Sequence, residues 1–222
     1  MYKVMNSEIK TLIKNSGVVA VLEIEDSSCA VETARALIKG GVTVIELALR
    51  SAAAVPSIAL IKEHVREMNI GVGTILHPDQ IQHVMELGAL FGVSPGLNEK
   101  VVESAILHKF PFAPGVATAS EIEKAVTYGC DVLKLFPATP LGGIEYLKAV
   151  SAPYKHLNLS YFPLGGITLE SLPRWAKVEN VLTVGGSWIA TKDLIREHNY
   201  DEITRRAKIA MDIWNKERGV VK

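Results

Sequence analysis

The sequence predicts a (β/α)8 TIM barrel, an α/β fold with one extra helix at each end, formed as a single domain over residues 1–222. Three observations predict it. Eight short runs rich in Val, Ile and Leu recur at intervals of roughly 20–27 residues, separated by amphipathic segments of helical length. The runs are apolar at nearly every position, as strands are when both faces of a parallel sheet are covered. No GxGxxG follows the first run, and eight units in about 180 residues favour a closed barrel over a doubly wound open sheet. No linker, low-complexity tract or charge block divides the chain.

The elements follow in order. Met5, Ile9, Leu12 and Ile13 share one face of an N-terminal helix that precedes the first strand, GVVAVL at 17–22. Ser27 or Ser28 is expected to cap the next helix, and Gly40-Gly41 to stop it. VTVIELAL at 42–49 is the second strand, and its helix carries Ala54, Ile58, Ile61 and Val65 on one face. The third strand is IGVGTI at 70–75, with a helix opening at Pro78. The fourth is LFGVS at 90–94, with a helix from about Glu99 to His108. FPFAP at 110–114 is the fifth, and Thr118 or Ser120 caps its helix. DVLKLFP at 131–137 is the sixth, followed by a helix from Ile144 to Val150. LNLSYFPL at 157–164 and NVLTVGG at 180–186 complete the barrel, and a final helix runs from about Tyr200 to Arg218.

Composition excludes several classes of function. Lys plus Arg and Asp plus Glu number 24 each, so there is no electrostatic footprint for nucleic acid or an acidic membrane. Apolar stretches fall well short of the roughly 20 residues that cross a bilayer, and the polar, periodic N-terminus is unlike a secretory signal. Cys29 and Cys130 match neither a disulfide framework nor a zinc site, and a reducing cytoplasm suits them. The histidines form no constellation, so no metal and no cofactor are expected.

In a barrel the chemistry gathers at the C-terminal strand ends and the loops beyond them. There the second strand offers Glu46 and Arg50, and the third Thr74. The fourth ends in Ser94-Pro95-Gly96, the fifth in Pro114-Gly115. The sixth carries Lys134 between Leu133 and Leu135. An ammonium inside an apolar strand is costly. Either Lys134 snorkels outward or merely neutralises Glu46, or it is a nucleophile, since an amine kept from water more readily takes the neutral form that Schiff-base chemistry needs. Glu46 reads as a charge-balancing partner or as a general acid/base, and the two are compatible. The planar fork of Arg50 suits a keto-acid carboxylate. Gly165-Gly166 and Gly185-Gly186-Ser187, at adjacent strand ends with a short helix starting near Ser187, suggest a phosphate cradle or a pair of tight turns.

The segments GGVTVIELALR (40–50), GVGTILHPDQ (71–80), VSPGL (93–97), PFAPGVATASE (111–121), DVLKLFPA (131–138), PLGGIT (163–168) and VGGSW (184–188) resemble, in order, those of a known family. It is that of the 2-keto-3-deoxy-6-phosphogluconate (KDPG) aldolases and the overlapping 4-hydroxy-2-oxoglutarate (KHG) aldolases. The resemblance implies Lys134 as the Schiff-base lysine and Glu46 as general acid/base. It implies Arg50 and Thr74 on the substrate carboxylate, Pro95 and Phe136 as walls, and Gly165, Gly166, Gly186 and Ser187 on a distal phosphate. It further implies a homotrimer that cleaves KDPG to pyruvate and glyceraldehyde 3-phosphate.

Two positions depart from the family pattern. Leu164 stands where many members carry Thr, which removes a polar contact at the seventh strand end. Glu23 stands where Arg or Lys is common, and a carboxylate directed into the mouth would repel an anionic substrate. Related substrates therefore stay open: KHG, 2-keto-3-deoxy-6-phosphogalactonate, or an unphosphorylated analogue. So do a sugar-phosphate epimerase using Glu46 as base and a keto-acid-binding barrel without catalysis.

Overall fold

The computed structural model describes residues 3–220. Asn6 caps α1 (Ser7–Ser16), its side chain accepting from the Ile9 N–H at 2.8 Å, and Gly17 ends the helix at φ +78°. Then follow β1 (Val18–Leu22), a 3-10 turn, α2 (Ala30–Lys39), β2 (Val44–Ala48), α3 (Ala54–His64), β3 (Asn69–Gly73) and α4 (Asp79–Glu86). The chain continues through β4 (Phe91–Val93), α5 (Glu99–Leu107), β5 (Phe112–Ala113), β6 (Gly115–Val116), α6 (Ala119–Thr127), β7 (Val132–Leu135) and α7 (Gly143–Ser151). After a second 3-10 segment come β8 (Ser160–Pro163), α8 (Leu172–Ala176), β9 (Val184–Gly186), α9 (Lys192–Arg196) and α10 (Tyr200–Arg218).

Parallel pairing carries the strands around a closed ring. One sheet runs β5-β4-β3-β2-β1-β9 and the other β6-β7-β8. They join at two seams. At Pro114 the fifth strand leaves β4 and turns to β7. Proline has no N–H for a ladder, but its carbonyl still accepts from Lys134 N–H at 2.9 Å. At the other seam Tyr161 bridges Val181, donating to Asn180 and accepting from Leu182, before the chain reaches β9. The ring therefore holds eight strand positions, β5 and β6 sharing one, and the open-sheet alternative falls.

Alternation of side chains separates two cores. Val18, Ala20, Leu22, Ile45, Leu47, Leu133, Leu135 and Tyr161 face outward into the layer under the helices. Val19, Val44, Phe91, Val93, Val132, Phe162 and Leu164 fill the interior, and Met5, Ile9 and Ile13 around α1 pack into that same cluster. The extra helix thus covers buried barrel side chains rather than decorating the outside.

Several local expectations are corrected. Asp26, not Ser27 or Ser28, caps the turn before α2, its side chain accepting from Ser28 N–H. The fifth strand continues past Pro114, and residues 152–157 form a 3-10 segment before β8 begins at Ser160. No helix starts near Ser187. That residue lies in a turn, and α9 begins at Lys192 behind the Thr191 cap. Thr118 does cap α6, in a capping box with Glu121.

Candidate active site

Lys134 points into the barrel, on the face it shares with Val132, while its neighbours Leu133 and Leu135 point out. It is 4% exposed, and its Nζ donates to Oε1 of Glu46, itself 2% exposed, across 3.0 Å. The outward-snorkelling reading is thereby ruled out. Glu46 reaches the interior because it shares a face with Val44 and Ala48, opposite Ile45 and Leu47. The second Glu46 oxygen, Oε2, has no partner among the described residues. A buried carboxylate oxygen is costly to leave without a hydrogen-bond donor.

Room for this pair comes from glycine. A Cβ on Gly73 would lie 2.0 Å from Glu46 Oε1, and one on Gly71 would lie 2.1 Å from the Phe91 ring. The alternating glycines of GVG in β3 are therefore two vacancies on one face, the first filled by an aromatic ring and the second by the carboxylate. Sequence reading passed over Gly73, although a glycine inside a strand is a known sign of close approach.

Above the pair stands Phe136, its ring centroid 5.3 Å from Lys134 Nζ, a cation–π contact when the amine is charged. Thr74 follows β3 at φ +60°, a conformation a β-branched residue adopts only at the expense of strain. Pro95 sits close to the fifth strand, its carbonyl carbon 2.3 Å from where a Gly115 side chain would begin. Gly115 in turn is paired in register with Lys134. So the β4 loop, the fifth strand and the lysine strand are tightly coupled.

Arg50 lies two residues beyond β2 and is half exposed. Its Nη2 is 2.9 Å from Oε2 of Glu23, and the other Glu23 oxygen contacts Lys192 Nζ. Glu23 is thus shared between two cations at the mouth rather than standing there bare. Lys192 was not singled out from sequence. It follows the eighth strand and meets Glu23 across a long separation, which no local pattern announces. Contact with Glu23 and Glu25 raises the tendency of Lys192 to hold its proton above that of an ordinary lysine.

Gly165 and Gly166 both take positive φ, +91° and +81°, and lie against Phe136–Pro137 and Thr139 respectively. The Gly165 carbonyl accepts from Thr139 N–H at 2.9 Å, tying the loops after β7 and β8 together. Gly186 is held in register with Ala20, and the Trp188 indole nitrogen lies 2.7 Å from the place of its missing Cβ. Ser187 is exposed beside it. Leu164 is buried in the interior against Gly185, so its side chain completes packing at this end. A groove of about 930 Å³ between α7 and α8 contains neither Lys134 nor Glu46, and its size does not make it the site of this chemistry. Among the described residues, no group of three or more His, Cys, Asp and Glu side chains is placed to hold a metal ion.

With the geometry established, likeness to known proteins is informative. A family model described as KDPG and KHG aldolase matches residues 9–206. The KHG/KDPG aldolase of Escherichia coli strain K12 is 36% identical over 203 residues, 91% of this chain and 94% of that protein. The KDPG aldolase structure from Zymomonas mobilis ATCC 29191 superposes with a TM-score of 0.87 at 33% identity, covering 96% of this chain and 99% of that one. The Legionella pneumophila KDPG aldolase, solved with pyruvate captured as a covalent carbinolamine intermediate, gives 0.84 at 31% identity over 90% and 96%. The match spans most of this chain and nearly the full length of each of these proteins, and the chain belongs to the KDPG and KHG aldolase family.

Proposed function

We propose that the protein is a class I aldolase that cleaves a 2-keto-3-deoxy sugar acid, KDPG foremost, to pyruvate and glyceraldehyde 3-phosphate through an imine on Lys134. The observation that carries this reading is the buried Lys134–Glu46 pair, a nucleophile and an acid/base 3.0 Å apart inside the barrel. Proton transfer across that contact yields the neutral amine and a protonated carboxyl together. The amine adds to the C2 carbonyl. Glu46 then returns its proton to the carbinolamine hydroxyl, which leaves as water and forms the iminium. Glu46, ionised again, takes the C4 hydroxyl proton, and the C3–C4 electron pair moves toward the iminium nitrogen. That proton is the one the enamine later takes up at C3. An aldehyde departs, the enamine is protonated at C3, and water releases pyruvate.

In this reading Arg50 and Thr74 hold the carboxylate, and Pro95 and Phe136 wall the keto acid. Gly165, Gly166, Gly186 and Ser187 receive the distal phosphate through backbone N–H groups and a hydroxyl. The positive φ of Gly165 and Gly166 supports an approach of backbone to ligand that a Cβ would block. One aldolase domain acts in the cytoplasm as a homotrimer. No helix of the described residues is long and apolar enough to cross a membrane. The balanced charge supports the absence of a nucleic-acid partner.

The test is borohydride reduction with pyruvate, followed by peptide mapping, together with pyruvate release from a substrate panel. The panel comprises KDPG, its galactonate epimer, KHG and unphosphorylated analogues. A reduced pyruvyl adduct at Lys134 and turnover of KDPG are expected. An adduct elsewhere removes Lys134 as the imine-forming residue, and no adduct removes the imine chemistry and leaves the epimerase or the non-catalytic binder. Preference for an unphosphorylated acid removes the phosphate role of the glycine pairs.

A further inference from the structure

Glu23 is the unusual partner in the mouth of the barrel. It follows β1, is 17% exposed at its side chain, and its two oxygens serve two different cations. Oε2 is 2.9 Å from Arg50 Nη2, while Oε1 contacts Lys192, which also donates to Glu25 at 3.1 Å. Behind it lies a cavity of about 230 Å³, lined by Glu23, Glu25, Lys192 and His198 among others. The carboxylate therefore has space to withdraw from Arg50 on the side where Lys192 stands. Without Lys192, an anion arriving at Arg50 would meet an unpaired Glu23.

We propose that Glu23 is a positioning residue that divides itself between Arg50 and Lys192 and stays on Lys192 alone when a substrate carboxylate takes its place at Arg50. This rests on the reading that Arg50 receives the substrate carboxylate. Glu23 holds the long, half-exposed Arg50 side chain at the mouth, and Lys192 compensates its charge after the exchange. The pair sets how strongly the site discriminates for a carboxylate, because an incoming neutral carbonyl compound cannot displace Glu23.

The experiment measures the pyruvate concentration giving half-maximal borohydride trapping at Lys134 in five proteins: wild type, E23Q, K192M, E23Q/K192M and R50Q. Exposed ion pairs of this kind correspond to roughly two- to fivefold in an equilibrium constant. E23Q is expected to lower the half-saturating pyruvate by about that factor, since Arg50 no longer has an internal competitor. K192M is expected to raise it by a similar factor in the wild-type background and to have no effect when Glu23 is already Gln. Full trapping at saturating pyruvate reports that each variant keeps a folded site. If K192M raises the value equally in both backgrounds, Lys192 touches the substrate itself and the exchange is overturned. It is likewise overturned if K192M changes nothing, or if E23Q does not lower the value while R50Q raises it. If R50Q leaves pyruvate binding unchanged, the carboxylate reading of Arg50 fails first, and the exchange falls with it.

Discussion

Substituting Gly73 by Ala adds one methyl to the strand that faces the Lys134–Glu46 pair. That methyl would start 2.0 Å from Glu46 Oε1, 2.7 Å from its Cδ and 2.8 Å from its Cγ, whereas ordinary contact begins near 3.4 Å. The carboxylate has to move about 1.4 Å, nearly half the 3.0 Å length of its contact with Lys134 Nζ. A misplacement of about 1 Å in a catalytic constellation costs on the order of 10²-fold, so turnover should fall about a hundredfold or more. Overpacking costs about 1–3 kcal/mol of stability as well. Gly71→Ala separates the two effects, because its methyl would strike the Phe91 ring at 2.1 Å and not the carboxylate. Both variants should lose stability in urea titrations. Only Gly73→Ala should lose turnover per folded molecule in a coupled pyruvate-release assay. Wild-type turnover by folded Gly73→Ala would refute the premise that the position of Glu46 governs the reaction.

Three further outcomes are expected. Glu46→Gln should still give a borohydride-trapped pyruvyl adduct while turnover drops about 10²–10⁴-fold, and full turnover would remove Glu46 from proton transfer. Thr74→Gly should relieve the strain at φ +60°, for a net gain of about 1 kcal/mol after the added chain entropy; if Thr74 holds the carboxylate, half-saturating pyruvate should rise in the same protein. Hydrogen bonds from Arg205, then Arg206, hold the Glu202 carboxyl down to about 2 from an ordinary value of 4.5. Because the folded value is the lower one, this stabilisation is complete above the unfolded value and fades as the pH falls from about 4.5 toward 2. Urea midpoints of wild type and Glu202→Gln should therefore differ at pH 7 and converge near pH 2.

Elements with strong periodicity were legible without coordinates. α10 spans Tyr200–Arg218 as its pattern predicts, and Ala54, Ile58, Ile61 and Val65 are all buried together. Boundaries were less legible where hydrogen bonding rather than hydropathy decides them. VLTVGG is continuous in hydropathy apart from Thr183, and only Val184–Gly186 pair along β1, while the residues before them close the ring against Tyr161. The fifth run is bounded at Pro114, whose carbonyl nevertheless accepts from Lys134 N–H and keeps the ladder going into Gly115.

The sequence by itself determined the alternation of strands and helices, the placing of Lys134 between two leucines, and the nearness of Glu46 and Arg50 to one strand end. Those are matters of period and burial, which the chain carries locally. Tertiary structure alone decided that Lys134 points inward, that Oε1 of Glu46 meets it at 3.0 Å, that Gly73 leaves the space for that oxygen, and that Glu23 is divided between Arg50 and Lys192. Each joins residues far apart in sequence, so it depends on the register and closure of the ring, which no single segment specifies.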